Sequence, residues 1–460
     1  MAILDETMFR EYDIRGLVND QQLNQETVRY IALGIASFLH KLGIKNTVVG
    51  HDSRSSSPLF QNIVTETLSR SGLDVIDLGM CLVPMFYFSQ YEYKCQGGVY
   101  ISASHNPSNW NGFKIANDYS STLLSSQIKE LYEIIKKEDF ISGVGSINSK
   151  NVLEAYSRNM LSSSIIKKRL KIVIDAGNAT AGQIVPDIFR KAGFEVVELY
   201  CDLDPTFPNH EPNPSAPENK KDLVKAVLAN KADIGFAFDT DGDRLGVVDN
   251  QGNLLEADQY LCLLAREVLA KKRGAKIIFD VKSSQALIDD IVTHGGIPVM
   301  WKTGHSYIKA KVKEEKAPLA GELSGHIFYE ENKGYDDAIY AAFKLASFLS
   351  LQKISLFDLM KTVPAYISTS TLNVDCNDLS KYQIVSKLTE EFKKSHEVID
   401  ISGARVIYKN GWGLVRASSN LPVLVLRFEA KTTKDLDLIM SDFREKMSKY
   451  HELGKDWYHG

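Results

Sequence analysis

The stretch KIVIDAGNATAGQIVPDIFRKAGFEVVELY, residues 171–200, determines how this chain folds. It begins with a β-branched run that ends in Asp175, continues through a helical stretch to Gly193, and ends in a second β-branched run. A strand, a helix and a second strand joined by short loops are typical of a parallel βαβ crossover. Such a unit predicts a largely parallel sheet that is covered by helices on both faces.

The same unit occurs twice more along the chain. TVVGHDSR starts a copy at residue 47 and KIIFDVKSS starts another at residue 276. Each copy goes on to a third strand with a polar tip and then to a returning strand. The three tips read SASHNP (102–107), DTDGDR (239–244) and GELSGH (321–326). Three modules with different polar tips at equivalent positions predict three similar domains whose tips serve one site.

The last part of the chain breaks this pattern. GARVIYKNGWGLVRAS (403–418) holds Asn-Gly between two strand-like runs, which is a hairpin signal, and an amphipathic helix is expected after Thr432. We therefore expect an α/β protein with three tandem similar mixed α/β domains around a central cleft and a smaller C-terminal α+β domain. The expected domains span residues 1–151, 152–253, 254–364 and 365–460.

Composition excludes several classes of partner. The 460 residues carry a formal net charge of −4, so the whole molecule does not attract nucleic acid or an anionic membrane, and an anionic ligand must be held by local cations. Five cysteines without metal-site spacing predict reduced, mostly buried thiols. With no apolar run long enough for a membrane span and no signal-peptide pattern, we expect a cytoplasmic protein.

The acidic tip of the second module predicts a metal site. Asp239, Asp241 and Asp243 alternate along DTDGDR, and carboxylates this close together repel unless a cation neutralises them. Mg²⁺ is typically held by a few carboxylates together with a phosphate oxygen. An EF-hand does not fit, because Asn250 stands where the loop would need its final Glu. A solvated acidic turn remains the alternative.

The tip of the first module offers Ser104 as an exposed hydroxyl at the end of a strand, beside His105. Adjacent side chains at a strand end usually diverge, and the Gly-x-Ser-x-Gly elbow of serine hydrolases is missing from this stretch. A phosphorylated Ser104 would instead need a nearby Mg²⁺ to neutralise its oxygens. The acidic tip of the second module is the expected place for that ion.

Two further loops are suited to a sugar phosphate. Glu322, Ser324 and His326 alternate, so in an extended loop they would share one face and could meet vicinal hydroxyls. Arg416 is followed by Ser418, Ser419 and Asn420, a set of donors that can clamp a phosphate. A solvated Glu322 with a core histidine, and an ordinary polar strand end, are the alternatives.

Taken together, FREYDIRG, SASHNPSNWNGFK, DTDGDR, GELSGH and RASSN resemble, in this order, the α-D-phosphohexomutase superfamily, and most closely its bacterial phosphomannomutase/phosphoglucomutase group. The resemblance covers the whole chain. It implies an isomerase that interconverts hexose 1-phosphate and hexose 6-phosphate, through a phosphoserine enzyme and a bound hexose 1,6-bisphosphate that also acts as activator. It implies a role in carbohydrate metabolism and polysaccharide biosynthesis.

By this resemblance Ser104 is the phosphoserine and completes a Mg²⁺ site with the three aspartates of DTDGDR. Glu322 and Ser324 would bind the sugar hydroxyls O3 and O4, and the loop from Arg416 to Asn420 would hold the phosphate that is not transferred. Lys114 and His326 are candidates for proton transfer. The remaining cleft positions that match the family are Tyr12, Arg15, His105, Arg244, Lys282 and His305.

Alternatives to this function remain open at this point. Leu323 follows Glu322 where phosphoglucosamine mutases usually carry Gln, which favours glucose and mannose phosphates over glucosamine phosphate. A Mg²⁺-dependent phosphomonoesterase would use the same serine and metal, and a non-catalytic phosphosugar-binding protein would need neither. The sequence leaves the choice between glucose and mannose open, together with the oligomeric state, for which a monomer is compatible.

Overall fold

The first sheet carries the SASHNP tip. In the computed structural model, which describes residues 4–419, 421–454 and 457, this sheet has the strand order β1-β5-β4-β2-β3-β7, with β6 paired to β5. Its strands are β1 (Ile14–Leu17), β2 (Asn46–His51), β3 (Asp74–Met80), β4 (Gly97–Ile101), β5 (Trp110–Asp118), β6 (Ser121–Thr122) and β7 (Ile147–Ser149). Its helices are α1 (Gln25–Lys41), α2 (Ser57–Arg70), α3 (Val83–Glu92) and α4 (Ser125–Lys136).

The second and third sheets follow along the chain. The second sheet has the strand order β12-β11-β10-β8-β9, and this part of the chain contains α5 (Leu153–Ser162), β8 (Lys171–Asp175), α6 (Val185–Lys191), β9 (Glu195–Leu199), α7 (Lys221–Asn230), β10 (Ile234–Phe238), β11 (Leu245–Asp249) and β12 (Leu254–Leu255). The third sheet has the strand order β14-β13-β15-β16, and its part of the chain contains α8 (Ala257–Lys271), β13 (Lys276–Asp280), α9 (Gln285–Thr293), β14 (Ile297–Trp301), α10 (His305–Glu315), β15 (Leu319–Gly321), β16 (Ile327–Tyr329), α11 (Ala338–Ser350) and α12 (Leu356–Met360).

The three sheets share one topology. In each, the returning strand lies beside the third strand, and the first strand lies between the third and the second: β5-β4-β2-β3, β11-β10-β8-β9 and β16-β15-β13-β14. The returning strand is antiparallel and the others are parallel. The predicted repeat of three α/β modules is therefore confirmed. Because the third strands occupy equivalent places, their polar tips lie at equivalent edges of the three sheets.

The C-terminal domain has a different, largely antiparallel sheet of order β17-β22-β21-β20-β19, with β18 also paired to β22. The hairpin predicted from Asn-Gly is present, and Gly411 is already the first residue of its second strand. The Thr432 side chain caps the last helix by accepting from the N–H of Asp435, as its position predicted. The elements are β17 (Ile367–Ser368), β18 (Leu372–Asp375), α13 (Lys381–Phe392), β19 (Glu397–Ile399), β20 (Ala404–Tyr408), β21 (Gly411–Ala417), β22 (Val423–Ala430) and α14 (Thr433–Met447).

Hydrophobic packing joins the first three domains. One cluster of buried side chains includes Tyr100 of the first sheet, Phe236 of the second and Phe279 of the third. The C-terminal domain has a core of its own and meets the third domain through a small group that contains Val281 and Trp412. The three polar tips therefore belong to domains that share one hydrophobic core. The loop that follows Arg416 comes from the C-terminal domain, which has its own core and packs against the third domain.

An aspartate at the end of the first strand of each module holds neighbouring loops. Asp52 accepts from the N–H and guanidinium of Arg54, Asp175 accepts from His210, and Asp280 accepts from the N–H of Leu323. These carboxylates are buried, so each needs such donors to offset the cost of leaving water. The repeated aspartates seen in the sequence therefore fix the geometry of the loops around the cleft.

The five cysteines are free and buried, as the sequence predicted. Among residues 4–419, 421–454 and 457, no helix has both the length and the apolar character that a membrane span requires.

Candidate active site

The polar tips of the three modules meet the loop that follows Arg416 in one cleft. The cavity has a volume of about 380 Å³, within the range of small-molecule sites. Its walls contain twelve of the residues that the sequence singled out: Tyr12, Arg15, His105, Arg244, Lys282, His305, Glu322, Ser324, His326, Arg416, Ser418 and Ser419. Most of these side chains are cationic or can become so, which suits an anionic ligand in a protein of net negative charge.

Ser104 lies beneath this cleft with its backbone in the left-handed region, at a φ of 51°. The side chain of Ser102 accepts a hydrogen bond from the N–H of Ser104 at 2.7 Å and supports this turn. The Ser104 hydroxyl donates to Asp239 Oδ2 at 2.9 Å and lies 3.3 Å from His105 Nδ1. Because such a φ is uncommon for a residue with a side chain, the loop must hold it there.

Two expectations about Ser104 are wrong. Its exposed fraction is only 1%, whereas an exposed hydroxyl at a loop tip was expected. The left-handed turn points the side chain back under the loop toward the second domain, instead of out from the end of the strand. For the same reason the Ser104 and His105 side chains do not diverge but come into contact.

The acidic tip folds around one of its own carboxylates. Asp239 Oδ1 accepts hydrogen bonds from the N–H groups of Gly242, Asp243 and Arg244 at 3.0–3.1 Å. Gly242 has a φ of 76°, a conformation that glycine adopts at little cost and that lets the loop close on Asp239. The other oxygen of Asp239 is thereby left facing Ser104.

The three aspartates form a donor set that fits a divalent cation. Ligand oxygens of Asp239, Asp241 and Asp243 lie within 4.8 Å of one another. Oδ1 of Asp241 and Oδ1 of Asp243 are buried without a hydrogen-bond partner among the described residues. Burial, followed by the charges of Asp243 and Asp241, raises the pKa of Asp239 well above its usual range. A hard cation with oxygen ligands would relieve both the repulsion and the unpaired oxygens.

Lys114 contacts this acidic cluster and is not among the residues that line the cleft. Its ammonium is 2.7 Å from Asp241 Oδ2 and also pairs with Asp243, and its side chain is buried. Burial alone would lower the pKa of Lys114, but the charges of Asp241 and Asp243 outweigh it and raise the pKa. In this arrangement Lys114 compensates carboxylate charge, and its role in proton transfer stays a prediction.

His326 lines the cleft between a cation and a carboxylate. Its Nδ1 lies 3.0 Å from Asp336 Oδ2, and its Nε2 accepts from Nε of Arg244 at 3.1 Å. Because a guanidinium only donates, this pair assigns the proton of a neutral His326 to Nδ1. The neighbouring His305 stacks on the same ring at 5.5 Å, and burial followed by the charge of Lys309 lowers the pKa of His305 well below its usual value.

The GELSGH tip is a tight turn, so the expected extended loop is wrong. The N–H of Gly325 donates to the carbonyl of Glu322, and that of Glu322 donates to the carbonyl of His326. Gly325 has a φ of 95°, and a Cβ there would lie 2.7 Å from the Leu245 carbonyl oxygen of the second domain. Glu322, Ser324 and His326 still line the cleft. They do so because of this turn, and not because alternate residues of an extended strand share one face.

A backbone N–H group fixes the side chain of Glu322. Its carboxylate accepts from the N–H of Gly304 at 2.5 Å, and only 2% of the residue is exposed. Burial raises the pKa of this carboxyl. The side chain therefore has one fixed bond to the backbone and a free edge toward the cleft, which suits recognition of sugar hydroxyls.

Three cations that line the cleft have different hydrogen-bond or ion-pair partners. Arg15 pairs with Asp13 and donates to Asn106 Oδ1 at 2.7 Å, so it touches the SASHNP loop. Arg416, from β21, lies 3.5 Å from the Ser419 hydroxyl. Lys282 lies 3.4 Å from Asp280 Oδ2.

Tyr12 packs edge-on against His305 at 4.9 Å, and burial raises its pKa to about 12, so it faces the cleft as a neutral phenol. Asn420 falls outside the described residues.

Sequence reasoning missed several residues that line the cleft. Asn213 and Ser215 come from the loop NHEPNPS (209–215), and the Ser215 hydroxyl donates to the carbonyl of Ser324. A polar, proline-rich loop at this position was a usable signal. Arg10, Asn106 and Trp110 also line the cleft and lie within the motifs FREYDIRG and SASHNPSNWNGFK, although they were not singled out there. Glu256, Thr303 and Thr371 line it as well and belong to no motif.

Comparison with known proteins identifies the family to which this arrangement belongs. Models of the phosphoglucomutase/phosphomannomutase family match in order: alpha/beta/alpha domain I at residues 6–142, domain II at 151–252, domain III at 256–366 and the C-terminal domain at 372–446. The chain belongs to the phosphoglucomutase/phosphomannomutase family.

Individual members of this family are similar over nearly their whole length. The phosphomannomutase/phosphoglucomutase of Pseudomonas syringae pv. tomato is 43% identical, over 97% of this chain and 96% of its own. The phosphoglucomutase of Neisseria gonorrhoeae is 40% identical, over 96% and 97%. The crystal structure of a phosphoglucomutase/phosphomannomutase family protein from Burkholderia thailandensis is 36% identical, with a TM-score of 0.92 over 98% of this chain and 100% of that one.

Membership of the phosphoglucomutase/phosphomannomutase family confirms the resemblance read from the motifs and the fold class that it implied. Each family domain contributes residues to the lining of the cleft, and each motif that carried the resemblance contributes at least one of them.

Proposed function

We propose that this protein is a phosphohexomutase that interconverts the 1-phosphates and 6-phosphates of glucose and mannose. One observation carries the proposal. The Ser104 hydroxyl donates to Asp239, one of a cluster of three aspartates, under a cleft that Arg416 from the C-terminal domain also lines. A mutase needs both features, because one phosphate is transferred while the other must be held.

Ser104 is the proposed phosphoryl carrier. In the transfer step the bond between phosphorus and Ser104 Oγ breaks, and a bond forms between phosphorus and a sugar hydroxyl. The proton of that sugar hydroxyl passes to a base on the cleft wall, for which His326 Nε2 is placed once Arg244 turns toward the phosphate. This proton is then returned to Ser104 Oγ, so that no proton is gained or lost in the step. The product is a hexose 1,6-bisphosphate, which turns over and returns its other phosphoryl group to Ser104.

The three aspartates are the proposed Mg²⁺ ligands. Their oxygen donors and unpaired buried atoms fit this ion. When bound, Mg²⁺ would neutralise the phosphoryl oxygens on Ser104 and polarise the phosphorus–oxygen bond that breaks. The cations Arg15 and Arg244, which line the cleft near the Ser104 loop, would support the same charge.

Residues of the third domain and of the C-terminal domain would bind the sugar and its second phosphate. Glu322 and Ser324 would accept and donate hydrogen bonds to O3 and O4, and Arg416 with Ser418 and Ser419 would hold the phosphate that is not transferred. Because O3 and O4 nearly exchange places when the bisphosphate turns over, one set of contacts serves both orientations. No contact is proposed to the C2 hydroxyl, so the phosphates of glucose and mannose, which differ at that carbon, are both proposed substrates.

The proposal is tested with glucose, mannose and glucosamine 1-phosphates, each supplied with Mg²⁺ and a catalytic amount of glucose 1,6-bisphosphate. Formation of the 6-phosphate and release of inorganic phosphate are followed in parallel. We expect isomerisation of the glucose and mannose phosphates with little phosphate release. Equal phosphate release would indicate a phosphomonoesterase, turnover of glucosamine phosphate alone a phosphoglucosamine mutase, and binding without turnover a binding protein.

The domain boundaries at residues 151/152, 253/254 and 364/365 stay predictions, and so does the cytoplasm as the compartment of the protein. The oligomeric state stays open, and a monomer is compatible with the sequence. The five free thiols are compatible with a reducing environment.

A further inference from the structure

Arg54 is a fully buried cation directly below the loop that carries Ser104. It follows β2 in the stretch HDSR, and only 1% of it is exposed. Its Nε donates to Asp52 Oδ2 at 3.1 Å, which supplies the opposite charge that a buried guanidinium needs. Neither residue lines the cleft, and neither belongs to the predicted site.

The guanidinium of Arg54 donates hydrogen bonds to four backbone carbonyls of the loop at residues 104–110. Nη2 donates to the carbonyls of Ser104 at 2.5 Å and Asn106 at 2.6 Å. Nη1 donates to those of Pro107 at 2.6 Å and Trp110 at 3.1 Å. With the bond to Asp52, all five N–H donors of the side chain are used.

This arrangement bears directly on the conformation of Ser104. The residue is left-handed, which is unfavourable for any residue with a Cβ, so the loop stays in place only while other bonds hold it. Without Arg54 the four carbonyls would converge on a buried space without a donor. The Ser104 carbonyl is one of them, so Arg54 acts on the backbone of the proposed phosphoryl carrier itself.

Contacts from the second domain place Arg54 in turn. The ring of Phe207 lies 5.5 Å from the guanidinium, and the N–H of Ser53 donates to the Thr180 hydroxyl at 2.9 Å. The second domain also supplies Asp239, the hydrogen-bond partner of Ser104. The loop that carries Ser104 and the loop that carries the aspartates are therefore set against each other through the Arg54 segment as well as directly.

We propose that Arg54 is a positioning residue for phosphoryl transfer: it fixes the backbone of residues 104–110 so that Ser104 Oγ stays within reach of the aspartate cluster. The inference rests on the proposed function of Ser104 as carrier. Arg54 touches neither substrate nor phosphoryl group. A lysine cannot replace it, because an ammonium has three donors and no planar fork with which to hold four carbonyls.

Arg54→Lys tests the proposal in the full-length protein, with Arg266→Lys as the matched control. The guanidinium of Arg266 donates hydrogen bonds to Asp290 and Thr362 and does not line the cleft. Its replacement should therefore lower the stability of the protein without moving Ser104. Dephosphorylated enzyme is mixed with saturating labelled glucose 1,6-bisphosphate and Mg²⁺, and the rate constant of Ser104 phosphorylation is measured in a single turnover. Unfolded molecules lower the amplitude of this reaction but not its rate constant.

We expect Arg54→Lys to lower that rate constant by ~10²-fold, the size of effect that a displacement of about 1 Å has on a reacting group. The dissociation constant of glucose 1-phosphate should stay near the parental value, and Arg266→Lys should keep the parental rate constant. A folded Arg54→Lys enzyme with the parental rate constant would overturn the proposal. So would a loss confined to the amplitude.

If Arg54→Lys does not fold, Asp52→Asn is used in its place, because this change keeps the shape of the Asp52 side chain and removes the negative charge that pairs with Arg54. A smaller fall in the same rate constant is expected, and a parental rate constant in that variant also overturns the proposal. Failure of the proposed function looks different, because the parental enzyme itself would then take up no phosphate on Ser104.

Discussion

Replacing Ser104 tests both its chemistry and its backbone geometry. Ser104→Ala removes the hydroxyl that donates to Asp239 Oδ2 at 2.9 Å and leaves that buried oxygen without its partner. An unpaired buried acceptor costs ~1–3 kcal/mol of stability, more than the small effect usual for an exposed residue. The dephosphorylated, metal-free variant should therefore unfold at lower urea concentration than the parent.

Ser104→Gly is the matched control, because it removes the same hydroxyl but has no Cβ. At a φ of 51°, a residue with a Cβ pays ~1–2 kcal/mol, whereas glycine does not. Against this, glycine makes the unfolded chain more flexible, which costs ~0.4–1 kcal/mol. The difference predicts that Ser104→Gly is more stable than Ser104→Ala by about 0.5–1 kcal/mol.

Both variants should lose mutase turnover by ~10³-fold or more, the scale seen when a covalent nucleophile is removed. Urea unfolding followed by fluorescence gives the order of stabilities, and a coupled assay with glucose 1,6-bisphosphate gives the turnover. Mass spectrometry should find a phosphoryl group on the Ser-His-Asn-Pro peptide of the parent only. Parental turnover in either variant would refute the carrier role, and an alanine variant as stable as the glycine variant would refute the backbone argument.

Three further predictions concern other parts of the site and the fold. Asp241→Asn removes one of three carboxylates around the proposed ion, so turnover should fall by at least ~10²-fold and more Mg²⁺ should be needed for half-maximal activity; unchanged Mg²⁺ dependence would contradict the metal assignment. Glu322→Gln weakens charge-assisted bonds worth ~1.5–3 kcal/mol to sugar hydroxyls, and kcat/KM should fall alike for glucose and mannose 1-phosphates; a loss with one sugar only would place Glu322 near C2. Burial alone would lower the pKa of His210, but its hydrogen bond to Asp175 outweighs this and raises it, so the stabilisation is full below about pH 6.5 and is lost as pH rises through the raised pKa. The stability difference between the parent and His210→Gln should therefore be larger at pH 6 than at pH 9, as thermal unfolding at both pH values would show.

The site could be predicted from the sequence as a set of residue types, but not as a geometry. The spacing of DTDGDR indicated a cation site because charge repulsion between three carboxylates is a local property. In contrast, the burial of Ser104 depends on a left-handed turn, and the turn depends on carbonyl contacts with Arg54, fifty residues earlier in the chain. No pattern within SASHNP reports such a partner.

The sequence by itself determined the three βαβ modules, the different C-terminal domain and the chemical character of each polar tip. These properties follow from hydrophobic periodicity and from residues a few positions apart, which the chain carries locally. The tertiary structure alone decided which tips face one another, that Lys114 lies on the aspartates and that Asn213 and Ser215 complete the cleft. Those relations arise when sheets from separate domains pack into one body, because contacts between distant residues depend on how every intervening element is placed.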